Sequence, residues 1–437
     1  MQGGDLLQAY QVQLARRASW RWTGEVREAG QQTVIADGPL CSVGECCEVI
    51  ERNGRRHPGE VIGFRGRRVL AMPLRNTEGI QYGDRLQALG MRPSLPVGAG
   101  MVGSLVDAMA MPLDGRRAPH PEQWWPLDGV AVGPLERVPI SAPLETGVRV
   151  LDGMLTVGRG QRVGIFGGSG VGKSTLIGMM TRGTAADVTV IGLVGERGRE
   201  VREFVEESLG EEGRRRASVF VATAEESPLL RMRAAQAAMA AAEYFASQGK
   251  HVLLVLDSLT RYAMAAREVG LAAGEPPTSK GYTPSVFTRM ARLVERAGNF
   301  SRGSITAFFT VLMEGDDQQD PIVDAVRSYL DGHVVLSRTL ASSGHYPPID
   351  VLDSLSRLMP AVTSEQHRKH AAIVRSLLAT YRRSEDLIRI GAYKTGTDRE
   401  LDRAVVLLPQ IEAYLQQRSD ERISLESSIV QLEELTS

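Results

Sequence analysis

The chain has 437 residues, of which 43% are hydrophobic and 24% are charged, an ordinary globular composition. Its 51 lysines and arginines balance 52 aspartates and glutamates, and the resulting net charge of −1 excludes a chain-wide basic surface that coats nucleic acid or anionic membranes. The three cysteines (Cys41, Cys46 and Cys47) are too few and too odd in number for a disulfide scaffold and favour a reducing compartment. The sequence begins with no basic-then-apolar leader and contains no apolar run approaching 18 residues, so we expect neither a signal peptide nor a membrane span.

The first 92 residues predict a short helix followed by a small β domain. Leu6, Leu7, Tyr10 and Leu14 share one helical face, which predicts an amphipathic helix over residues 1–18. This helix either packs on its own β domain or docks a partner, and the pattern leaves both interpretations open. Short apolar stretches between turn residues then predict an antiparallel barrel or sandwich over residues 19–92, with strands near 32–35, 46–50, 61–64 and 68–73.

Residues 93–360 alternate strand-like and helix-like segments. Strands are predicted at 162–166, 188–194, 218–222, 251–256, 304–313 and 333–336. A long alanine-rich helix between two of them begins at Ser227 and Pro228, a capping residue followed by proline, and ends near Gly249. Such alternation predicts an α/β fold, in which a parallel sheet is covered by helices on both faces. Beyond Thr363 the apolar spacing becomes helical throughout, so residues 361–437 are predicted to form a helical C-terminal domain.

A glycine-rich loop directly after the strand at 162–166 carries the strongest chemical signal. Residues 167–175 read GGSGVGKST, which matches the pattern G-x-x-x-x-G-K-[ST]. Backbone N–H groups of such a loop turn toward phosphate oxygens, and the following helix N-terminus adds partial positive charge. The ammonium of Lys173 is suited to the β- and γ-phosphates, and the hydroxyl of Ser174 to Mg²⁺. The predicted nucleotide-binding residues are Gly167, Gly168, Ser169, Gly170, Val171, Gly172, Lys173, Ser174 and Thr175.

Acidic residues follow two other predicted strands. Asp257 ends a run of five apolar residues, where an ionised carboxylate is costly unless it meets a cation or hydrogen-bond donors. We therefore predict that Asp257 serves Mg²⁺; the alternative is a helix N-cap. Glu196 and Arg197 follow the strand at 188–194, and from the residues alone they fit either water activation or an exposed salt-linked pair.

Together these motifs resemble the flagellar and type III protein-export ATPases, relatives of the catalytic subunits of rotary ATP synthases. The resemblance extends over nearly the whole chain and is densest over residues 159–357. Besides the phosphate loop, it rests on seven strings at 194–200, 256–262, 274–277, 295–298, 314–317, 330–333 and 347–357. It implies a RecA-like P-loop core between an N-terminal β-barrel and a helical C-terminal domain. One departure is the stretch Gly103 to Ala110, which lacks the two later glycines that family members usually carry.

The resemblance also implies roles for individual residues. Glu196 matches the glutamate that activates the attacking water, and Arg197 matches a phosphate-site residue. Asp257 matches the Mg²⁺-linked carboxylate, expected to act through water. Tyr346 matches the aromatic residue that stacks on adenine, with a plain core position as the alternative. Arg357 matches the arginine finger that one subunit inserts into its neighbour's site, with a surface loop arginine as the alternative.

The function that this resemblance implies is Mg²⁺-dependent ATP hydrolysis by a hexameric ring. The ring is expected to energise protein export through a flagellar (favoured) or injectisome type III apparatus, including chaperone release and substrate unfolding. Expected partners are a regulatory or stator protein at the N-terminal helix, a central stalk protein, the export gate, exported proteins and their chaperones, and no nucleic acid. The expected location is cytoplasmic, peripheral at the export apparatus of the inner membrane.

Three other functions are weighed against this one. The chain could be a catalytic subunit of a rotary ATP synthase or ion pump. It could be an RNA-translocating hexameric helicase, but that needs a basic groove with aromatic stacking platforms. Here Trp20 and Trp22 lie outside the predicted strands, and the basic cluster of Arg65, Arg67 and Arg68 stands alone. A non-hydrolysing nucleotide scaffold is the third alternative, and Glu196 argues against it.

Overall fold

The computed structural model describes residues 22–130, 132–313 and 320–436. The amphipathic helix predicted over residues 1–18 and the string at 314–317 lie outside these residues, so both stay predictions. Within the described ranges, no helix combines the length and the apolar character needed to cross a bilayer.

The first six strands close into an antiparallel barrel in the order β1-β2-β5-β4-β3-β6. Their bounds are Thr23–Ala29 (β1), Val34–Asp37 (β2), Cys46–Ile50 (β3), Arg56–Arg65 (β4), Arg68–Pro73 (β5) and Arg85–Ala88 (β6). The predicted barrel is confirmed, and closure removes the exposed edges that a small open sheet would present. The sequence missed β1 because Val26 is its only buried residue, which leaves little hydrophobic pattern to detect.

A nine-stranded sheet forms the middle of the chain, with the strand order β19-β18-β12-β17-β15-β13-β14-β8 and with β16 paired to β17. The bounds are Leu105–Asp107 (β8), Arg162–Gly167 (β12), Val188–Glu196 (β13), Ala217–Thr223 (β14), His251–Asp257 (β15), Gly298–Asn299 (β16), Ser304–Leu312 (β17), Gly332–Leu336 (β18) and Ile349–Ser356 (β19). The strands between β18 and β8 run parallel, as predicted. The sequence did not predict that β16 and β19 would pair antiparallel, which makes the sheet mixed.

Short strands connect the barrel to this sheet. They are Ser94–Val97 (β7), Gln123–Pro126 (β9), Pro143–Leu144 (β10) and Val157–Gly158 (β11). β7 and β9 form a two-stranded ribbon, and β10 pairs with β11. The barrel is fastened to the core by an ion pair between Glu60 and Arg233, whose atoms Oε2 and Nη2 are 2.9 Å apart.

Helices cover both faces of the central sheet. They span Arg149–Met154 (α1), Lys173–Gly183 (α2), Gly198–Glu203 (α3), Gly210–Arg216 (α4), Pro228–Ser247 (α5), Leu259–Ala272 (α6), Pro284–Val294 (α7), Pro321–Tyr329 (α8) and Arg338–Ser342 (α9). The pleat of β13 sends Val190 and Val194 into one hydrophobic cluster and Ile191 and Leu193 into another, so each face of the sheet has its own core. The predicted start of the alanine-rich helix is confirmed, since the Ser227 hydroxyl accepts a hydrogen bond from the Leu230 N–H.

The last part of the described chain is helical, as predicted. Its helices span Met359–Val362 (α10), Glu365–Arg389 (α11), Arg399–Leu415 (α12) and Leu425–Thr436 (α13). α11 and α12 pack against each other, and α13 packs on α1 at the start of the core. The hydroxyl of Tyr414 donates to the Ser428 carbonyl at 2.9 Å and joins α12 to α13. The helical region therefore sits directly against the sheet domain.

The turn after β8 contains alanine at position 110, where members of the family that the sequence resembles usually carry glycine. Ala110 has φ = +62°, a left-handed conformation that L residues other than glycine adopt at a cost of about 1–2 kcal/mol. The Asp107 carboxylate stabilises this turn by accepting hydrogen bonds from the N–H groups of Met109 and Met111, each at 2.8 Å. These two hydrogen bonds hold a turn whose backbone at position 110 would suit glycine.

We expect Ala110→Gly and Ala108→Gly to differ in their effects on stability although both remove one buried methyl group. Loss of a buried methyl costs about 0.8 kcal/mol, and only at Ala110 is this offset by the relief of a positive φ. Ala108→Gly should lower the thermal unfolding midpoint, and Ala110→Gly should leave the free energy of unfolding within about 0.5 kcal/mol of the parent. Equal losses in differential scanning calorimetry would contradict the strain at Ala110.

Candidate active site

The phosphate loop connects the end of β12 to the start of α2. Two of its residues, Gly170 (φ = +75°) and Gly172 (φ = +95°), adopt left-handed conformations that favour glycine. Gly172 is also the N-cap residue of α2, so the loop aims the N–H groups of the first helical turn into the space beside it. The predicted strand–loop–helix context of the motif is confirmed.

Lys173 lies buried inside this loop, with 8% of its surface exposed. Its Nζ donates hydrogen bonds to the carbonyls of Gly167 and Gly168. Burial lowers the pKa of the ammonium, and the negative charges of Asp257 and Glu196 oppose that shift. The lysine is therefore a cation held beside two carboxylates at the mouth of the loop.

Asp257 ends β15 and is 5% exposed. Thr310 on β17 donates its hydroxyl to Asp257 Oδ1 at 2.5 Å. Burial raises the pKa of this carboxyl group, while the Thr310 bond and the charge of Lys173 lower it. The alternative of a helix cap is wrong for Asp257, because Ser258 caps α6 by accepting from the Arg261 N–H at 3.3 Å.

Glu196 lies at the end of β13, on the same edge of the sheet. Its carboxylate pairs with the guanidinium of Arg261, with Nε to Oε1 at 3.1 Å and Nη2 to Oε2 at 3.3 Å. Burial raises the pKa of Glu196 to about 8, helped by the negative charge of Asp257 and by a hydrogen bond shared with Glu200. A carboxyl group whose pKa lies near neutrality suits proton transfer.

Arg197 is not brought to the other predicted site residues. Its side chain is 80% exposed, and its Nη1 lies 3.7 Å from Glu200 Oε1. The sequence left open an exposed ion pair between Glu196 and Arg197 as the alternative to catalysis. The structure instead pairs Arg197 with Glu200. Beside Glu196 the structure places Arg261, which the sequence analysis quoted within the string 256–262 without giving it a role.

Two adjoining clefts share the loop residues Gly172 and Thr175. The first, of about 350 Å³, is lined by Lys173 and by the strand-end carboxyl groups of Glu196 and Asp257, together with Ser169, Gly170 and Ser174 of the loop. The second, of about 450 Å³, lies beyond the start of α2 and is lined by Tyr346, Pro347, Gln416 and Gln417, among others. Volumes of this size hold small-molecule ligands, with room for phosphates in one cleft and an apolar base in the other.

Tyr346 forms one wall of the second cleft. A methyl group placed on Gly172 would lie 3.7 Å from its ring carbon Cε1, so the ring stands next to the phosphate loop. The residue is 46% exposed, which is incompatible with the alternative of a plain core position. An open aromatic face beside a phosphate loop can stack on a nucleobase.

Arg357 lies at the opposite end of the sheet from the phosphate loop. Its N–H donates to the Asp331 carbonyl at 2.9 Å, and the Asp331 N–H donates to the Arg162 carbonyl at the start of β12. The loop begins where β12 ends, at Gly167, which is about 17 Å further along the strand at 3.3 Å per residue. The three-carbon stem of an arginine cannot bridge that gap. The Arg357 side chain is exposed and has no ion-pair partner among the described residues.

The residues that sequence reasoning missed reach the site from distant segments. Arg261 and Thr310 come from α6 and β17, and Gln416 and Gln417 follow α12. The only local signal for Arg261 was its place in the first turn of α6, four residues after Asp257. The glutamines carry no local signal, because only tertiary packing brings the end of α12 to Tyr346.

This geometry defines a class of protein: a P-loop nucleotide hydrolase in which a buried lysine, two carboxylates and a helix N-terminus meet at the carboxyl edge of a mostly parallel sheet. Comparison with family models agrees. Residues 147–356 match the nucleotide-binding domain of the ATP synthase alpha/beta family, residues 25–90 match its beta-barrel domain, and residues 363–434 match the T3SS EscN ATPase C-terminal domain.

Individual proteins are similar over almost the whole chain. A flagellum-specific ATP synthase of Pseudomonas aeruginosa is 51% identical, covering 92% of this chain and 90% of its own length. The solved structure of the assembled ATPase EscN, from the type III secretion system of enteropathogenic E. coli, superposes with a TM-score of 0.90 at 42% identity, covering 95% of this chain and 100% of its own. EscN in complex with its central stalk EscO gives 0.88 at 41% identity, over 95% of this chain and 100% of the EscN chain.

The chain therefore belongs to the ATP synthase alpha/beta family, within the branch of flagellum-specific ATP synthases and type III secretion ATPases. It is an ATPase. The resemblance and the RecA-like fold predicted from the sequence are both confirmed.

The raised pKa of Glu196 predicts a rising pH–rate profile. If the group accepts a proton, it must be ionised, so kcat/KM for ATP should increase with pH across the neutral range and level off above about pH 8. Glu196→Gln should lower kcat by about 100-fold or more and flatten the profile while ATP still binds. Glu211→Gln, an exposed glutamate on α4, is the matched control and should keep the parent profile. An unchanged kcat in Glu196→Gln would show that the residue is only an ion-pair partner of Arg261.

Proposed function

We propose that this chain is the ATPase of a flagellar protein-export apparatus and that it hydrolyses ATP at the seam between neighbouring subunits of a hexameric ring. The observation that carries the proposal is the separation of Arg357 from its own phosphate loop by the length of the central sheet. A side chain with the position and exposure of Arg357 can serve a phosphate loop only on another copy of the chain. The assembled state named for EscN, which covers 95% of this chain, supports a ring.

Residues of the first cleft have the chemistry for phosphoryl transfer to water. Lys173 and the N–H groups of the loop hold the β- and γ-phosphates. Glu196 orients the attacking water and takes its proton as the bond from the γ-phosphorus to the bridging oxygen breaks. The neighbour's Arg357 stabilises the charge that spreads over the γ-phosphate oxygens, an effect on the order of 10³ or more in rate.

Mg²⁺ is the expected cofactor, and the donor set fits it. Ser174 and Asp257 line the same cleft and offer a hydroxyl and a carboxylate, the hard oxygen donors that Mg²⁺ prefers. Among the described residues no group of three or more histidine, cysteine, aspartate or glutamate side chains is arranged to hold a metal ion. When bound, Mg²⁺ would neutralise charge on the β- and γ-phosphates. Tyr346 is proposed to stack on the adenine in the second cleft.

The proposed setting follows from relatives rather than from the site. The central stalk named with EscN supports a stalk protein as partner, in contact with the ring. A regulatory or stator protein at the helix of residues 1–18, the export gate, and exported proteins with their chaperones complete the proposal. Chaperone release and substrate unfolding are the proposed work of hydrolysis, on the cytoplasmic side of the inner membrane.

The helicase alternative gains no support from the barrel surface. Arg68 contacts Asp37 and Glu28 at 3.2 and 3.0 Å, and Arg27 also pairs with Asp37 at 2.6 Å. Ion pairs of this kind leave less free positive charge for a nucleic-acid backbone. We therefore propose no nucleic-acid partner.

Mixing two inactive variants tests the shared site. Lys173→Ala and Arg357→Ala should each abolish hydrolysis, because one removes the phosphate ligand and the other the neighbour's cation. Mixed rings contain seams that join an intact loop to an intact Arg357, so an equal mixture should recover roughly a quarter of the parent rate. Arg399→Ala, an arginine at the exposed start of α12, is the control and should retain full activity alone. Absence of recovery in rings shown by native mass spectrometry to be mixed would overturn the shared site.

Motility tests the export role. Cells of Pseudomonas aeruginosa that lack their flagellum-specific ATP synthase should swim again when they receive this chain, and should not when they receive Glu196→Gln at equal abundance. If the parent chain and Glu196→Gln restored swimming equally, export would not depend on hydrolysis at this site, and the proposed role would be wrong. Rescue of effector secretion in cells lacking an injectisome ATPase, without rescue of swimming, would assign the chain to the injectisome instead.

A further inference from the structure

The second cleft, in which the base is proposed to bind, has one wall that comes from the helical C-terminal region. Residues Gln416 to Ser419 and Glu421, which follow α12, line the cleft together with Tyr346. Gln417 is the most buried of them, with 6% of its surface exposed, although it is a polar residue in a connecting segment. A buried amide in a connection between helices must have its hydrogen bonds satisfied by specific partners.

All the polar groups on the Gln417 side chain are engaged. Its Oε1 accepts a hydrogen bond from the Arg149 N–H at 2.7 Å, at the first turn of α1. Its Nε2 donates to the carbonyls of Gly147 at 2.9 Å and of Glu421 at 3.0 Å. The amide thus joins the segment after α12 to the start of the sheet domain. Arg149 and Gly147 are its partners in the sheet domain, and Glu421 is its partner within the segment.

The backbone of Gln417 extends this connection to Tyr346. Its N–H donates to the Tyr346 carbonyl at 2.9 Å. A second tie lies one residue earlier, where Gln416 Nε2 and His345 Nδ1 are 3.4 Å apart. The segment that carries the aromatic ring is therefore held by the C-terminal region at two successive residues.

The exposure of Tyr346 makes these ties important. With 46% of its surface open, the ring is not enclosed by core packing, and its direction depends on where its main chain is held. Small displacements of a group that contacts substrate can reduce binding substantially, because the contact depends on position and orientation.

We propose that Gln417 is a positioning residue for the second cleft. It fixes the Tyr346 main chain by anchoring the segment after α12 to the first turn of α1. The proposal rests on the proposed stacking of Tyr346 on the base and adds the residue that sets its position. It assigns no contact between Gln417 and the nucleotide itself.

Gln417→Glu tests this role because it keeps the size and the acceptor for Arg149 but removes both donors. The new carboxylate would face the carbonyls of Gly147 and Glu421, which displaces the segment. We expect KM for ATP to rise about tenfold with kcat within about twofold, and the inhibition constant of inorganic tripolyphosphate to stay unchanged. Tripolyphosphate occupies only the phosphate cleft, so it reports on the loop without the base. Gln410→Glu, an exposed glutamine on α12, is the matched control and should leave all three values unchanged.

A double-mutant cycle with Tyr346→Ala separates positioning from general support of the fold. Gln417→Glu should raise KM in the parent background but add nothing once the ring is gone. Additive effects, or a loss of kcat and of tripolyphosphate binding together with KM, would overturn the proposal. Gln417→Met, which keeps the chain length and removes all three side-chain bonds, carries the same expectations if the glutamate variant does not fold. An unchanged KM in Tyr346→Ala alone would instead refute the stacking role on which the proposal rests.

Discussion

The chemistry of this protein depends on the cost of burying charge at one edge of a sheet. Parallel strands β12, β13 and β15 end together, and each delivers a group that an isolated apolar core could not tolerate: the phosphate loop with Lys173, Glu196, and Asp257. Each charged group is stabilised by the other two and by nearby partners such as Arg261 and Thr310. Burial still shifts the pKa of each of the three toward its neutral form. A triphosphate with its cation would therefore enter a site in which an ammonium group and two carboxyl groups are already held in place.

The same sheet explains why a single copy is an incomplete enzyme under the proposed function. β12 crosses the domain, so its beginning and its end lie on opposite sides, and the Arg357 main chain is connected to the beginning through Asp331. A chain whose decisive cation faces away from its own substrate can act only when a neighbour is aligned with it. Assembly then becomes a condition for turnover rather than a device added to a finished catalyst.

The sequence predicted those parts of the molecule whose signals are local. The loop at 167–175 and the capped helix at Ser227 each carry their geometry in a few adjacent residues, and both were found in place. Strand β1 was missed because one buried residue makes no pattern, and the strand β19 (Ile349–Ser356) was not predicted either. At the site, the family resemblance implied that Arg197 lies near phosphate, but its side chain is 80% exposed and pairs with Glu200. A strand end places consecutive side chains on opposite sides, and the guanidinium beside Glu196 comes from α6 instead.

The ties at Gln417 connect two parts of the molecule that the sequence keeps more than 260 residues apart. α1 opens the sheet domain and packs on α13, so the first turn of α1 and the segment after α12 belong to one packed unit. A displacement of the helical region relative to the loop would therefore carry the Tyr346 main chain with it, while Lys173 and Asp257 stay fixed to the sheet.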